Sequence, residues 1–323
     1  MPPSDAEDLQ PRLLAWFHTH ARDLPWRRTR DPYAILVSEV MLQQTQVERV
    51  IPKYAAFMAA FPSLEALAAA PTAEVIRLWS GLGYNRRAVN LQRAARAVLE
   101  QHGGSFPREV AALRALPGIG PYTAGAVACF AFEQDVAFMD TNIRRVLRRA
   151  MADPASAGPE PTERELLAIG EALVPPGQAW AWNQALMELG ALVCTAAAPA
   201  CYRCPIRARC REHRARDERE TRAREGQPGY GSGEGREGAG ARVRARVAER
   251  SEEPYQGSRR WYRGRIVEAL RQLPAGTAIP LADLGPLVKP GFSADDTGWL
   301  RALVTGLVRD GLATCDDDTV GLP

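Results

Sequence analysis

The chain has 323 residues, of which 46% are hydrophobic, and it carries a formal net charge of +3. This length allows two domains with a sizeable core, and so mild a charge says little about nucleic acid. No apolar run reaches the roughly 20 residues that span a bilayer. Residues 1–12 are polar and acidic, so we expect neither a membrane span nor a secretory signal. These features predict a cytoplasmic or nucleoid-associated protein.

Helical patterns follow one another along the first part of the chain. Residues 10–22 are amphipathic, and Leu24-Pro25-Trp26-Arg27 predicts a turn that presents an aromatic ring and a cation. Further helices are predicted at 52–61, 86–102, 110–116, 142–151, 162–173 and 180–192. Leu78–Asn85 contains two glycines and presents Tyr84. Because no alternating strand pattern occurs in the first 215 residues, we predict an all-α domain.

One predicted helix carries a carboxyl group in apolar surroundings. Asp31 and Pro32 are typical of a helix start, and Glu39 follows two turns later. Gln43 and Gln46 share the face of Glu39. Desolvation would raise the pKa of Glu39, which suits a general acid. The same pattern also fits a surface glutamate on a polar stripe.

A glycine-containing turn between two helices is the second candidate site. Leu116-Pro117-Gly118-Ile119-Gly120 cannot be helix interior, and the glycines permit backbone shapes closed to other residues. The amides of such a turn can hold a phosphate oxygen, although a hydrophobic hairpin can also be purely structural. A lone carboxylate, Asp140, comes eight residues after the small, apolar helix that ends near Phe132. This order suggests chemistry beside a nucleic-acid backbone.

Four of the six cysteines lie close together in the spacing C-x6-C-x2-C-x5-C, at Cys194, Cys201, Cys204 and Cys210. Four thiolates this close predict a metal site. The tight spacing and the proline after Cys204 favour a [4Fe–4S] cluster over zinc. Arginines interleave with the cysteines, and they could contact phosphates or simply offset the charge of the cluster.

The composition changes after this loop. We predict an all-α domain at 1–213 with its cluster loop at 194–210, a disordered linker at 214–257 and a small winged-helix-like domain at 258–323. The recognition helix of that module, predicted at 297–310, would carry Arg301 and Arg309, which suggests DNA contact. A protein-binding or stabilising role fits the pattern equally well.

The stretches LPWR, SEVMLQQTQV, LWSGLGY, LPGIGPYTAGA and DTNIRRVL, with the cysteine loop, keep the order and spacing of a known family. From Leu24 to Cys210 the chain resembles the MutY-type adenine DNA glycosylases of the helix–hairpin–helix superfamily. The resemblance implies two helical lobes, one with the hairpin and the other with the cluster, and DNA between them. The partner would be double-stranded DNA with an adenine mispaired with 8-oxoguanine or guanine, bound by a monomer.

The resemblance also implies roles for individual residues. Glu39 would protonate adenine, Asp140 would stabilise the cationic sugar, Tyr122 would orient Asp140, and Asn142 would hold water or a carboxylate. The residues implied to contact DNA are Arg27 and Gln184 at the adenine, Gln44 and Tyr84 as wedges in the base stack, and Gly118 and Gly120 at a phosphate.

The chain has only two lysines, Lys53 and Lys289, and neither is near the hairpin. Bifunctional relatives form a Schiff base with a lysine at the position of Tyr122, so we predict a monofunctional glycosylase without lyase activity. Thr141 and Asn85 depart from the family pattern. Residues 258–323 are too short for the Nudix-like domain that reads 8-oxoguanine in typical members, which leaves the preference for 8-oxoguanine over guanine open.

Two other functions remain open from the sequence. A thymine or uracil glycosylase acting opposite guanine would also have tyrosine at the hairpin and lack the large C-terminal domain. A non-catalytic, cluster-bearing DNA-binding protein would need neither Glu39 nor Asp140, and the presence of both carboxylates argues against it.

Overall fold

A computed structural model describes residues 3–152, 160–225 and 255–323. Helices account for the regular structure of the first two ranges: α1 (Pro3–His20), α2 (Pro32–Leu42), α3 (Val47–Ala60), α4 (Leu64–Ala69), α5 (Thr72–Leu78), α6 (Arg86–His102), α7 (Val110–Ala115), α8 (Pro121–Phe132), α9 (Thr141–Met151), α10 (Glu163–Ala172), α11 (Ala179–Leu192) and α12 (Arg211–Glu225). Short 3-10 helices occur at Pro25–Arg27, Cys201–Arg203 and Arg207–Arg209. No strand occurs in these two ranges, so the all-α prediction is confirmed there.

The third range forms a small mixed module. Its elements are α13 (Arg259–Gln272), β1 (Ala278–Pro280), α14 (Leu281–Val288), α15 (Thr297–Arg309), β2 (Thr314–Asp316) and β3 (Thr319–Gly321), with a 3-10 helix at Ala294–Asp296. The strands form one antiparallel sheet in the order β1-β3-β2. Asp317 and Asp318 both have positive φ, as a two-residue hairpin turn requires. This succession of helices and strands is compatible with the predicted winged-helix-like module, which stays a prediction.

The predicted disordered linker was wrong for its first residues. Residues 214–225 continue α12. Side chains of opposite character in this segment can pair one helical turn apart, as His213 and Asp217 do at 2.9 Å. The rest of the predicted linker up to residue 254 lies outside the described residues.

The chain divides into two compact units, and the boundary falls inside α2. Unit 1 comprises Met1–Glu39, Phe106–Ala115 and Ile119–Gly233. In its core α11 packs against α1 and α9, with Trp182 and Leu189 on α11 fully buried. The helices α7 and α8 belong to this unit together with the cysteine loop. The expectation that hairpin and cysteine loop lie in separate lobes was therefore wrong for the hairpin helices.

Unit 2 comprises Val40–Ser105, Leu116–Gly118 and Glu234–Pro323. The C-terminal module shares its core with the helices α5 and α6, because Ile76 and Val89 belong to the same buried apolar cluster as Leu270 and Leu307. Burial of a shared apolar cluster is the main stabilising contribution to such packing. Most of this cluster comes from the module itself, so the core of the module extends onto α5 and α6 and makes it an integral part of this unit.

None of the helices that the structure describes is long and apolar enough to cross a membrane.

Candidate active site

Glu39 is buried near the end of α2 in unit 1. The helix begins at Pro32, and Asp31 accepts hydrogen bonds from the backbone N–H of Tyr33 at 3.0 Å and of Ala34 at 3.4 Å. Glu39 is only 3% exposed. The hydroxyl of Tyr122, in the first turn of α8, donates a hydrogen bond to Glu39 Oε2 at 2.6 Å. The alternative of a glutamate on a polar surface stripe is thereby excluded.

Burial raises the pKa of Glu39 from 4.5 to about 7. The hydrogen bond from Tyr122 and the charge of Arg27 act in the opposite direction, whereas the charge of Asp140 raises the pKa further. A carboxyl group with a pKa near neutrality is protonated in a large fraction of molecules and can release its proton. The site therefore contains an acid suited to donating a proton at neutral pH.

Asp140 caps the N-terminus of α9. Its Oδ1 accepts a hydrogen bond from the Ile143 N–H at 2.6 Å, and its Oδ2 accepts one from Asn142 Nδ2 at 2.9 Å. Burial raises the pKa of Asp140, while these hydrogen bonds and the charge of Arg145 favour its ionised form. A helix N-terminus also stabilises negative charge. The second carboxylate thus lies among donors that oppose its protonation.

Tyr122 has a different partner from the one the resemblance implied. Its hydroxyl donates to Glu39, and no hydrogen bond to Asp140 occurs among the described residues. Burial and the two carboxylates raise the pKa of Tyr122 well above its usual value. The tyrosine therefore stays neutral and acts as a hydrogen-bond donor to the acid.

Arg145 was not singled out by sequence. Its Nη2 donates to Asn142 Oδ1 at 2.7 Å and to the Gly190 carbonyl at 2.6 Å, and its Nε donates to the Cys194 carbonyl at 2.6 Å. A Cβ on Gly190 would lie 2.6 Å from Asn142 Cβ, so only glycine lets α11 approach the start of α9 this closely. The Asp140 region and the cysteine loop are thereby connected.

Arg27 and Gln184, which the resemblance placed at the adenine, contact each other. Arg27 Nε donates to Gln184 Oε1 at 2.8 Å, and Arg27 Nη2 donates to Glu188 Oε2 at 2.8 Å. Arg22 also pairs with Glu188. Although burial raises the pKa of Glu188, the hydrogen bonds from both arginines outweigh it and lower the pKa. Glu188 is a second residue that sequence reasoning missed. A signal was available, because residues 180, 184 and 188 are spaced four apart and therefore share one face of α11 with Gln184.

The two hairpin glycines differ in conformation. Gly118 has φ +76°, and a Cβ there would lie 2.6 Å from Asn90 Cβ. Gly120 has φ −86° and ψ 176°, an extended conformation that any residue adopts. The expectation that both glycines need special backbone shapes was therefore wrong for Gly120. Its Cβ would meet nothing within 4 Å, so the position leaves open space before α8.

The two wedge candidates lie in unit 2 on neighbouring loops. Gln44 and Tyr84 are exposed and both have positive φ, at 54° and 44°. Arg87 Nη1 donates to the carbonyl of Gln43 at 2.6 Å, and its Nη2 donates to the carbonyls of Leu82 at 2.9 Å and Gly83 at 3.2 Å. One arginine thus ties the two loops together. Sequence reasoning missed it because its partners are backbone atoms.

The four loop cysteines line one cavity of about 170 Å³, and none of them forms a disulfide. Arg149 on α9 donates to Cys194 Sγ at 3.4 Å. Within the described ranges, no three ligand side chains are placed so that they could hold one metal ion. The four thiols around this shared cavity are the side chains that could hold a metal cofactor.

The chain is similar to known DNA repair proteins. Residues 37–172 match the family described as HhH-GPD superfamily base excision DNA repair protein. The chain is 44% identical over 219 residues to the adenine DNA glycosylase of Rattus norvegicus, covering 65% of this chain and 42% of that enzyme. It is 39% identical over 299 residues to the adenine DNA glycosylase of Mycolicibacterium smegmatis, covering 92% and 91%. A solved thermostable thymine-DNA glycosylase superimposes with a TM-score of 0.61 at 32% identity, covering 66% of this chain and 98% of that one.

These matches define the class as base excision DNA repair proteins of the HhH-GPD superfamily. The chain spans less than half of the length of the rat relative but nearly all of the mycobacterial one. The chain belongs to the MutY-type adenine DNA glycosylase family.

Proposed function

We propose that this chain removes adenine mispaired with 8-oxoguanine or guanine from double-stranded DNA. The observation that carries the proposal is the buried acid Glu39, which has a pKa of about 7, is hydrogen-bonded by Tyr122 and lies within electrostatic reach of Asp140. Relatives with adenine glycosylase names support the choice of adenine. The proposed protein acts as a monomer in the cytoplasm, on nucleoid DNA.

Glu39 acts as the general acid in this proposal. Its proton moves to N7 of the flipped adenine, which makes the base a better leaving group as its bond to the sugar breaks. Loss of the proton leaves Glu39 ionised, and the Tyr122 hydroxyl stabilises that form through its hydrogen bond.

Asp140 stabilises the positive charge that develops on the sugar. Its oxygens are fixed by the Ile143 N–H and the Asn142 side chain, so the carboxylate needs little rearrangement when the charge appears. Water then bonds to the sugar carbon in place of the departed base and gives its proton to the ionised Glu39, so that an abasic site remains and the acid is restored. Tyr122 supplies no amine and neither lysine lies in unit 1, which supports a monofunctional enzyme without lyase activity.

The DNA contacts in the proposal follow the family positions. Arg27 and Gln184 contact the adenine, Gln44 and Tyr84 fill the vacated stack, and the Gly118–Gly120 turn holds a phosphate. The exposure of Gln44 and Tyr84 and the open space at Gly120 support these assignments.

Cys194, Cys201, Cys204 and Cys210 hold a [4Fe–4S] cluster in this proposal. Bound to a cluster, the four thiolates would cross-link the loop that follows α11 and stabilise its fold. The shared cavity and the Arg149 contact support the assignment, because a nearby cation offsets the charge of a thiolate-bound cluster.

A thymine or uracil glycosylase is the second candidate, favoured by the thymine-DNA glycosylase among the similar structures. Base release should be measured on otherwise identical duplexes containing A:8-oxoguanine, A:G, T:G and U:G. The proposal expects release from the first two only. Release from T:G and U:G, with adenine left intact, would establish the alternative.

A non-catalytic DNA-binding protein is tested by Asp140→Asn. We expect at least a hundredfold loss of excision with duplex binding retained, since preorganised charge stabilisation contributes about 10²–10³ in rate. Asp135→Asn is the matched control, because Asp135 is an exposed carboxylate of the same segment. Full activity in Asp140→Asn would remove the catalytic assignment.

A further inference from the structure

The C-terminal module has two faces with opposite electrostatic character. The face formed by α15 and the β2–β3 hairpin carries three successive aspartates, Asp316, Asp317 and Asp318. All three are exposed. Arg301, the arginine expected to contact DNA from this helix, makes a two-armed ion pair with Asp318. An acidic hairpin beside a neutralised arginine repels a phosphate backbone. This face is unsuited to DNA.

The other face combines exposed cations with aromatic rings. A cavity of about 620 Å³ is lined by α13 of the module, by the Tyr84 loop and by the start of α6. Arg260 lies between two exposed tyrosines, with its guanidinium carbon 5.9 Å from the Tyr84 ring centre and 5.0 Å from the Tyr255 ring centre. Arg260 forms no ion pair or hydrogen bond with any residue in the described ranges, so its N–H donors are available.

The remaining charges in the cavity leave a positive balance. Asp310 is the one acidic residue among those that line it, and it pairs with Arg263 at 2.5 Å. Arg86 reaches the same carboxylate only at 3.6 Å, and its side chain is 64% exposed. The charge of Arg260 and much of that of Arg86 are therefore uncompensated. Cations interleaved with aromatic rings are typical of nucleic-acid binding surfaces.

We infer that the module binds DNA through α13, with Arg260 contacting a backbone phosphate next to Tyr84. The tyrosine rings hold the guanidinium in place by cation–π contact, which leaves its planar edge free for bidentate hydrogen bonds to phosphate oxygens. The winged-helix recognition helix α15 does not take part. This inference rests on the proposed function, because the DNA is the substrate of that function.

The test is the binding of a fluorescein-labelled duplex, followed by anisotropy over a series of salt concentrations. Arg260→Ala should weaken binding about tenfold, the usual effect of losing a charged hydrogen bond. The slope of log affinity against log salt should fall by about 1, as expected for the loss of one phosphate contact. Because phosphates carry no sequence information, the loss should be equal for a fully paired duplex and for one with an A:G mispair.

Arg259→Ala is the matched control, since this exposed neighbour carries the same charge but does not line the cavity. It should bind as the unaltered chain does. Unchanged affinity and slope in Arg260→Ala would overturn the inference, and so would a loss limited to the mispaired duplex. A weakening by Arg301→Ala would assign DNA contact to α15 and overturn it as well. If the unaltered chain bound no DNA, the proposed function itself would fail, which is a distinguishable result.

Discussion

At the residue scale, the proposed chemistry depends on how the fold changes the pKa values of two carboxyl groups. Glu39 and Asp140 are both shielded from water, but their partners differ. Glu39 receives a hydrogen bond from a tyrosine hydroxyl, whereas Asp140 receives bonds from backbone and side-chain donors at a helix N-terminus. Burial raises the pKa of both groups, but the donors around Asp140 offset part of that rise, and this difference supports the separate roles proposed for the two carboxyl groups.

Replacing Tyr122 by phenylalanine should move the pH dependence of catalysis. The Tyr122 hydrogen bond lowers the pKa of Glu39, so its loss raises that pKa above about 7. In the proposed mechanism activity requires protonated Glu39, so the fall in rate at high pH should move to higher pH in Tyr122→Phe. Single-turnover rates between pH 5 and pH 9 would measure this. Tyr202→Phe, at a tyrosine that is 80% exposed, serves as the control. A basic limb that stays in place or moves to lower pH contradicts the expectation.

Replacing Glu39 by glutamine should stabilise the fold at high pH. The folded-state pKa of about 7 exceeds the unfolded value of 4.5, so the folded state retains a proton in that window and the unaltered chain loses stability as pH rises through it. Above pH 7 the free energy of unfolding is lowered by at most roughly 3 kcal/mol, at about 1.4 kcal/mol per pKa unit. Glutamine does not titrate, so the variant does not lose stability in this way. Denaturation of both proteins at pH 5 and pH 8 should give a difference that grows with pH, and a constant difference would contradict the expectation.

At the element scale, the short loops between helices determine the positions of the candidate DNA-contacting residues. The hairpin turn, the Gln44 loop and the Tyr84 loop all contain residues with positive φ. Such conformations are held by neighbouring groups and not by local preference. The loops are therefore sensitive to substitutions that leave the helices intact.

The hairpin glycines should respond differently to alanine. Gly118→Ala places a Cβ at positive φ and against Asn90, and should lower the free energy of unfolding by about 1–3 kcal/mol. Gly120→Ala should change it by less than about 0.5 kcal/mol, because its backbone is extended and its surroundings are open. Urea denaturation of both variants would measure this. Equal destabilisation would contradict the distinction.

Arg87 should be required to hold the Gln44 and Tyr84 loops in the positions observed. Lysine keeps the charge but lacks the fork that reaches the carbonyls of both Gln43 and Gly83. Arg87→Lys should therefore reduce base extrusion, seen as a smaller rise in fluorescence from 2-aminopurine at the target position. Arg49→Lys, at an exposed arginine on α3, is the control. Extrusion equal to that of the unaltered chain would show that the clamp is dispensable.

At the scale of the whole molecule, the C-terminal module is joined to unit 2 by more than apolar contact. Arg271 on α13 donates to the carbonyl of Ile76 at 3.0 Å and to Asn85 Oδ1 at 2.7 Å. The backbone N–H of Ala73 donates to the carbonyl of Pro323 at 2.9 Å. Asn85 replaces the second tyrosine of the family pattern, and its contact with Arg271 gives that departure a physical reason.

Arg271→Ala should loosen this attachment. The side chain is 7% exposed, so its removal leaves buried acceptors without donors and should lower the free energy of unfolding by about 2–3 kcal/mol. Thermal unfolding and limited proteolysis would measure the effect. Arg309→Ala, at the exposed end of α15, is the control. An Arg271 variant as stable and as protease-resistant as this control would show that the apolar cluster alone holds the module.

The amino-acid sequence by itself determined the helices, the hairpin, the cysteine loop and the candidate carboxylates. These features depend on local pattern and spacing, such as the apolar run around Glu39 and the C-x6-C-x2-C-x5-C spacing. The resemblance to a family then implied a role for each of the candidate residues.

Only the tertiary structure decided which residues meet. In the folded chain the Tyr122 hydroxyl donates a hydrogen bond to Glu39, and Arg145 donates to both Asn142 and Cys194. Folding also packs α13 against α5 and α6. These contacts join residues far apart in the chain, and many of them end on backbone carbonyls that carry no signature in the residue types. A pattern in sequence specifies a local conformation, whereas a pKa or a shared core depends on every group that folding brings near.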